Sequence, residues 1–163
     1  MINYKSYIDT IPDFPKEGIL YRDIQPLLAN DEVFKQAISD MAQLVKLPDY
    51  WVAIESRGFL FASALSVLHG GGVKLIRKKG KLPNSNLVSK AYGLEYGEDV
   101  LEMAANKTDV KTAVIVDDVL ATGGTLEAAS VLCNRAGLTV IDKLCLLDIG
   151  MKASHDVKCL ITY

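Results

Sequence analysis

The stretch Val114-Ile115-Val116-Asp117-Asp118-Val119-Leu120-Ala121-Thr122-Gly123-Gly124-Thr125 decides how the chain is read. An apolar run ends in two adjacent carboxylates, and a Thr-Gly-Gly-Thr turn then leads into helical spacing. A continuous apolar run of this length predicts a buried strand of a parallel sheet. In an open α/β sheet, ligands sit beyond the carboxyl ends of the strands, and the turn occupies such a place. Gly123 and Gly124 let the backbone approach a guest, and the helix that follows offers unpaired N–H groups and positive dipole character. Thr122 and Thr125 add hydroxyl donors. The turn therefore suits a phosphate monoester, while Asp117 and Asp118, one strand end away, can accept hydrogen bonds from sugar hydroxyls or help hold a divalent cation. Phosphate on the turn and hydroxyls on the acids together describe a ribose 5-phosphate. The stretch is neither a Walker A loop nor GxGxxG.

Outward from this stretch, strands and helices alternate. Asp31 to Leu47 has helical periodicity, with Asn30 as a cap and Asp31 and Glu32 in the first turn. YWVAIES reads as a buried strand, FLFASALSVLH as a mostly buried helix stopped by Gly70-Gly71-Gly72, and VKLIRK (73–78) as a strand. TAVIVDD (112–118) is the strong central strand. GTLEAASVLCNRAG is a helix closed by Gly137, TVIDKLCLLDI is another strand, and CLITY is a last edge strand. Val100 to Ala105 reads as a weak strand. Met1 to Asn30, broken by Pro12, Pro15, Gly18 and Pro26, predicts a short helix and an irregular arm. Lys79 to about Glu98 shows no sustained periodicity and reads as a long loop, either functional or disordered. The alternation predicts one α/β domain, a twisted, mainly parallel sheet flanked by helices on both faces.

The chain has 163 residues, 50% of them hydrophobic, enough for one compact domain with a substantial core. Its 18 Lys and Arg against 20 Asp and Glu give a formal charge of −2, which argues against nucleic acid or an anionic membrane as the main partner. Any bound anion must be held by a local cluster. Cys133, Cys145 and Cys159 fit no metal spacing and read as buried, reduced thiols of a reducing compartment. No apolar run is long enough to span a membrane, and a cytoplasmic protein is expected. His69 and His155 read as helix-end or surface residues, and Trp51 as core.

VIVDDVLATGGT resembles the phosphoribosyl-pyrophosphate (PRPP) motif of the type I phosphoribosyltransferases. DFPKEGILYRDIQPLL, ESRGFLF, IRKKGKLP and LEYG resemble matching segments of the adenine phosphoribosyltransferases, in the family's order and near its spacing from about Asp13 to Ile149. The resemblance implies a type I phosphoribosyltransferase fold with a small hood, from about residues 1–30 and 148–163, and a flexible lid loop. It implies Mg²⁺-dependent transfer of ribose 5-phosphate from PRPP to adenine, giving AMP and pyrophosphate, and usually a homodimer. Ala121, Thr122, Gly123, Gly124 and Thr125 would hold the 5′-phosphate, and Asp117 and Asp118 the ribose hydroxyls and, near them, Mg²⁺ carried by PRPP. Glu55, Ser56 and Arg57 form the loop used for pyrophosphate, where a non-proline cis peptide is expected.

Arg77, Lys78, Lys79 and Lys81 make the one dense basic cluster, either a solvated strand end or a pyrophosphate contact. The resemblance implies pyrophosphate contact by Lys78 and Lys81, its best matches, and by Arg77, which alternatively reaches a neighbouring subunit. Glu95 and Tyr96 lie in the lid, with Tyr96 at the pyrophosphate. There Glu95 is either the general base for adenine N9 or a solvated carboxylate; Arg57 is the second catalytic candidate. Tyr21, where many relatives carry Phe, either stacks on the purine or packs as a core aromatic, while backbone groups of Leu20 and Arg22 read the base edge. Ile149 either covers the other base face or is packed core. Two rivals remain: a 6-oxopurine phosphoribosyltransferase, whose family carries Asp where this chain has Ala121, and a noncatalytic nucleotide-sensing regulator, which would add a DNA-binding element or basic face. The segment GMKASHDVKCLITY is expected to make a reduced hood.

Overall fold

The computed structural model describes residues 2–83, 86–94, 97–107, 109–151 and 156–163. A seven-stranded sheet runs in the order β5-β6-β4-β3-β7-β8-β9. Its strands are β3 (Tyr50–Ile54), β4 (Gly72–Lys78), β5 (Leu87–Leu94), β6 (Gly97–Ala104), β7 (Lys111–Leu120), β8 (Leu138–Asp148) and β9 (Val157–Thr162). Strands β4, β3, β7, β8 and β9 are mutually parallel, and β6 and β5 add an antiparallel edge beside β4. The expected parallel-rich α/β architecture is present.

Two apolar layers follow from the period-two alternation of side chains along the strands. On one face, helices α2 (Asp31–Gln43) and α3 (Gly58–His69) bury Ala37, Ile38, Met41, Phe61 and Leu65 against Trp51, Ala53, Val114 and Val116. On the other, helix α4 (Gly124–Arg135) packs Leu126, Ala129, Leu132 and Cys133 on Val52, Ile54, Ile76, Met103 and Ile115. Asn30 caps α2 as expected, its side-chain oxygen accepting from Val33 N at 3.1 Å. Trp51 is core, its indole N–H donating to Gly70 O at 2.8 Å. All three cysteines are free, with Cys133 and Cys145 buried and Cys159 half-buried.

Three expectations need correction. The N-terminal arm is ordered: a 3₁₀ turn (Tyr4–Tyr7) precedes an antiparallel hairpin of β1 (Asp9–Pro12) and β2 (Leu20–Asp23), followed by the short α1 (Gln25–Ala29). Its Pro and Gly residues build the connection rather than interrupt structure. Gly18, at φ 83°, donates its N–H to Asp13 Oδ1 at 2.7 Å.

The stretch read as one long loop is largely strand, with β5 paired to β6 from Leu87↔Ala104 to Leu94↔Gly97. Val88, Lys90 and Tyr92 are half-buried while Ser89, Ala91 and Gly93 are exposed, so the alternation exists. A lysine on the inward face hides it from a reading based on hydropathy. Finally, α3 is buried on one side only. Leu60 and Leu68 are exposed, and Val67 is 84% exposed. His69 does close α3 as expected, whereas His155 lies outside the described residues.

Candidate active site

Strand β7 runs two residues past the acid pair, to Leu120, before the turn begins. Ladder bonds to β8 continue to Leu120↔Asp148, and Ile149 N donates to Leu120 O at 3.1 Å, so the base of the turn is pinned. Gly123, at φ 84° and ψ −5°, takes the left-handed conformation that other residues adopt only under strain. It turns the chain sharply into α4, and its carbonyl accepts from Glu127 N at 3.0 Å. The first N–H groups of an α-helix have no partner within the helix, so α4 presents donors at its amino end. A cavity of about 70 Å³ here is lined by Asp117, Leu120, Ala121, Thr122, Gly123 and Thr125. Next to it a hollow of about 300 Å³ is bounded by Tyr92, Gly93, Ala121, Thr122, Gly124, Thr125 and Met151. A larger hollow lies along the amino-terminal half of β8 and the start of β9, away from the carboxyl ends of the strands.

The two acids differ in surroundings. Burial pushes the Asp117 carboxyl well above the ordinary range, and the charge of Asp118 and a hydrogen bond with it act in the same direction. The Asp118 N–H donates to Asp117 Oδ1 at 2.9 Å and pulls the other way. Asp118 is 6% exposed, and Arg57 Nε lies 2.8 Å from its Oδ2. The contact is one of charge and not an aligned hydrogen bond, because this oxygen has no hydrogen-bond partner among the described residues. A buried carboxylate oxygen in that condition has acceptor capacity for a guest.

Gly58 explains how an acid pair can sit here. A Cβ at Gly58 would lie 2.7 Å from Val116 O and 3.3 Å from both Asp117 Cα and Oδ1. Only glycine lets the amino end of α3 press against the end of β7. That end carries partial positive charge, which offsets part of the cost of a buried carboxylate.

The basic cluster is held by acids. Glu55 accepts from Lys78 N at 2.9 Å and from Arg77 Nη2 at 3.4 Å, and it pairs with Lys81 Nζ. Lys78 Nζ meets Asp99 Oδ2 at 2.8 Å. Burial pushes the Glu55 carboxyl up, but the bonds from Lys81, Lys78 N–H and Arg77 outweigh it and bring it down to about 2. Glu55 is thus an organiser of the cations, a role its assignment to the pyrophosphate group did not include. The Glu55–Ser56 peptide is cis, as the resemblance implies.

A carboxyl with a lowered folded pKa stabilises the fold above its unfolded value, and that stabilisation is lost as pH falls through the folded value. Replacing Glu55 with Gln should therefore lower stability at pH 7. The gap from the parent should close between about pH 4.5 and about pH 2, the ordinary and shifted values for this group. Urea unfolding at pH 7, 4 and 3 reads it, and a gap independent of pH would contradict the assigned charge network.

Arg57 sits between the acids and the hairpin, its Nη1 donating to Tyr21 Oη at 2.8 Å. Tyr21 is half-buried, with Phe14 edge-on to its ring at 5.0 Å. Leu20 is exposed, and the Arg22 guanidinium stacks 3.9 Å over the Tyr163 ring. Ile149 packs on the layer formed by α2 and α3 and is half-buried. Glu95 and Tyr96 lie outside the described residues.

The structure therefore joins the acids and the turn on β7 and α4, links Arg57 to Asp118, and gathers Arg77, Lys78 and Lys81 around Glu55. Sequence reasoning missed Gly58, Asp99 and Tyr92. Tyr92 borders the hollow beside the turn together with Thr122, Gly124 and Thr125. The signal for Tyr92 was the concealed alternation of β5; Asp99 and Gly58 had none, because their roles depend on contacts remote in sequence.

Comparison with known proteins agrees with this fold. The adenine phosphoribosyltransferase of Hydrogenovibrio crunogenus is 48% identical over 157 residues, covering 92% of this chain and 88% of that one. That of Polynucleobacter necessarius is 48% identical over 153 residues, covering 91% and 88%. Among solved structures, adenine phosphoribosyltransferase from Thermoanaerobacter pseudethanolicus superposes with a TM-score of 0.89 at 37% identity, covering 98% of each chain. The Saccharomyces cerevisiae enzyme, complexed with an imino-altritol bisphosphate and adenine, gives 0.86 at 33% identity over 97% of this chain and 94% of that one. The family model for the phosphoribosyl transferase domain matches residues 24–163, from the end of the hairpin through the acid pair and its turn to the last strand, and the chain belongs to that family.

Proposed function

We propose that this chain transfers ribose 5-phosphate from PRPP to adenine, forming AMP and pyrophosphate. The observation that carries the reading is the acid pair near the end of β7, Asp118 buried and Asp117 half-buried, with the left-handed Gly123 turn into α4 just beyond it. The curated relatives at 40–48% identity, named adenine phosphoribosyltransferases, support adenine as the base. Ala121 offers no acceptor for the base, against the 6-oxopurine alternative.

In this reading the amides of the α4 amino end, with Thr122 and Thr125, grip the 5′-phosphate, and Asp117 and Asp118 hold the ribose hydroxyls. Arg57, Lys78 and Lys81 balance the charge gathering on the departing pyrophosphate, which places fixed cations where negative charge develops. Tyr21 stacks on the purine, backbone groups of Leu20 and Arg22 read its edge, and Ile149 covers the far face. By resemblance, Glu95 takes the N9 proton and Tyr96 contacts pyrophosphate. The segment made of residues 1–30 and 148–163 serves as the hood, supported by the Arg22 stack on Tyr163.

Among the described residues no group of three or more metal-type side chains converges. Two carboxylates, with Asp118 Oδ2 free of an aligned hydrogen bond, suit a hard cation that arrives with phosphate ligands of its own. Asp117 and Asp118 would hold Mg²⁺ there. When bound, Mg²⁺ supplies charge neutralisation of the pyrophosphate.

The protein acts as a cytoplasmic homodimer in this proposal. Free thiols fit a reducing compartment, and no described helix is long and apolar enough to cross a membrane. Leu60, Val67 and Leu68 on α3, with Val73 and Leu75 on β4, form an exposed apolar face suited to a second copy.

Product analysis with adenine, hypoxanthine and guanine, each with PRPP and Mg²⁺, tests the reading together with the solution mass. AMP from adenine alone and a mass of two chains are expected. IMP or GMP at comparable rates would overturn the base preference, and a monomer mass the dimer.

A further inference from the structure

Arg57 is the one described side chain that bridges the sugar acids and the hairpin. Its Nε lies 2.8 Å from Asp118 Oδ2, its Nη1 donates to Tyr21 Oη at 2.8 Å, and its Cζ is 5.5 Å from the Tyr21 ring centroid. The guanidinium is therefore fixed from two sides by groups on separate elements, β7 and β2. Among the described residues two of its nitrogens are engaged, and no partner there takes the remaining N–H groups of its planar fork, which suit an anion.

Tyr21 is itself held firmly. Phe14 packs edge-on against the ring at 5.0 Å, and the ladder pairs Ile11 with Tyr21. On the neighbouring rung, Arg22 Nη1 donates to Thr10 Oγ1, and the Arg22 guanidinium stacks on Tyr163. The phenol oxygen is thus a fixed point on a braced hairpin. The Arg57 side chain, 36% exposed, lacks comparable packing of its own. A long cationic side chain at such exposure samples many rotamers unless its head is tethered.

We infer that the Tyr21 hydroxyl is a positioning group for Arg57, holding the guanidinium beside Asp118 so that it meets the pyrophosphate of PRPP already oriented. The inference rests on the proposed function and extends it, because it separates two tasks within one residue. The ring face serves the base, and the hydroxyl serves the leaving group through Arg57. Phenylalanine would stack equally well on a purine but cannot accept the Arg57 hydrogen bond.

Tyr21→Phe in the full chain separates the tasks. A hydrogen bond to a charged partner predicts a fall of about tenfold in kcat/KM for PRPP and in Mg²⁺-pyrophosphate affinity by calorimetry. KM for adenine should stay within about twofold, since the aromatic face is kept. Tyr21→Leu, which removes the ring, should raise KM for adenine as well. NMR relaxation of the Arg57 Nε–H pair should show a lower order parameter in Tyr21→Phe than in the parent.

Unchanged pyrophosphate affinity and unchanged Arg57 order in Tyr21→Phe would overturn the inference. So would a loss confined to KM for adenine. Should the parent protein form no AMP, the functional reading falls by itself. Arg57 order and pyrophosphate binding then still decide whether the hydroxyl positions the guanidinium.

Discussion

Asp118→Asn is expected to lower kcat/KM for PRPP about a hundredfold while leaving the melting temperature equal to or above that of the parent. Asparagine keeps the shape but removes the counter-charge of Arg57, whose Nε lies 2.8 Å from Oδ2, and weakens the acceptor offered to a ribose hydroxyl. Two charge-assisted contacts at about 1.5 kcal/mol each amount to about a hundredfold in rate.

The stability expectation has the opposite sign because the acids repel. Asp117 titrates well above the ordinary carboxyl range, through burial first and then the charge of Asp118. A carboxyl with a raised folded pKa favours the fold below its unfolded value, and that advantage is lost as pH rises through the folded one. At pH 7 Asp117 therefore costs stability, and neutralising Asp118 relieves the part of that cost that its charge adds. Steady-state kinetics and thermal melts at pH 7 check both halves. Adding Thr122→Ala removes a hydroxyl donor at the phosphate turn and deepens the kinetic loss. Near-parent activity in Asp118→Asn would displace the sugar site from β7.

Gly58→Ala should both destabilise the fold and disable the site. The added Cβ would meet Val116 O at 2.7 Å, a backbone atom of the central strand with no room to yield. Overpacking of this kind costs about 2 kcal/mol, or roughly 6 °C in melting temperature for a chain of this size. Relief requires α3 to lift from β7, and Asp117, 3.3 Å from the same Cβ, moves with the contact. Displacement of a positioning group by about 1 Å can cost on the order of a hundredfold in rate. Calorimetry and kinetics at a temperature where the variant is fully folded separate the two effects. A normal melt with normal turnover would show that α3 and β7 do not meet as closely as described.

Much of this was legible from residues in order. The apolar run of β7, the acids that end it and the TGGT turn are contiguous, so their strand, turn and helix follow from local rules. The cap at Asn30 and the positive φ at Gly137 are equally local. The failures share a cause. The N-terminal hairpin and β5 draw their stability from partners, and Pro12, Gly18 and Lys90 conceal their pattern when each is read alone. Strand pairing is a property of two segments, and propensity in one of them records it weakly.

The sequence by itself determined the α/β class, the central strand, and the chemical types gathered at its end: two acids, hydroxyls, glycines and a basic segment. Those depend on composition and on spacing over a few residues. Only the tertiary structure decided that Arg57 spans Asp118 and Tyr21, that Glu55 and Asp99 hold the cations, and that Gly58 must lack a side chain. Each of these is a contact between elements distant in the chain, within a few ångströms across the ends of the parallel strands. Such distances are fixed by how the sheet and α3 pack, and no local pattern encodes them.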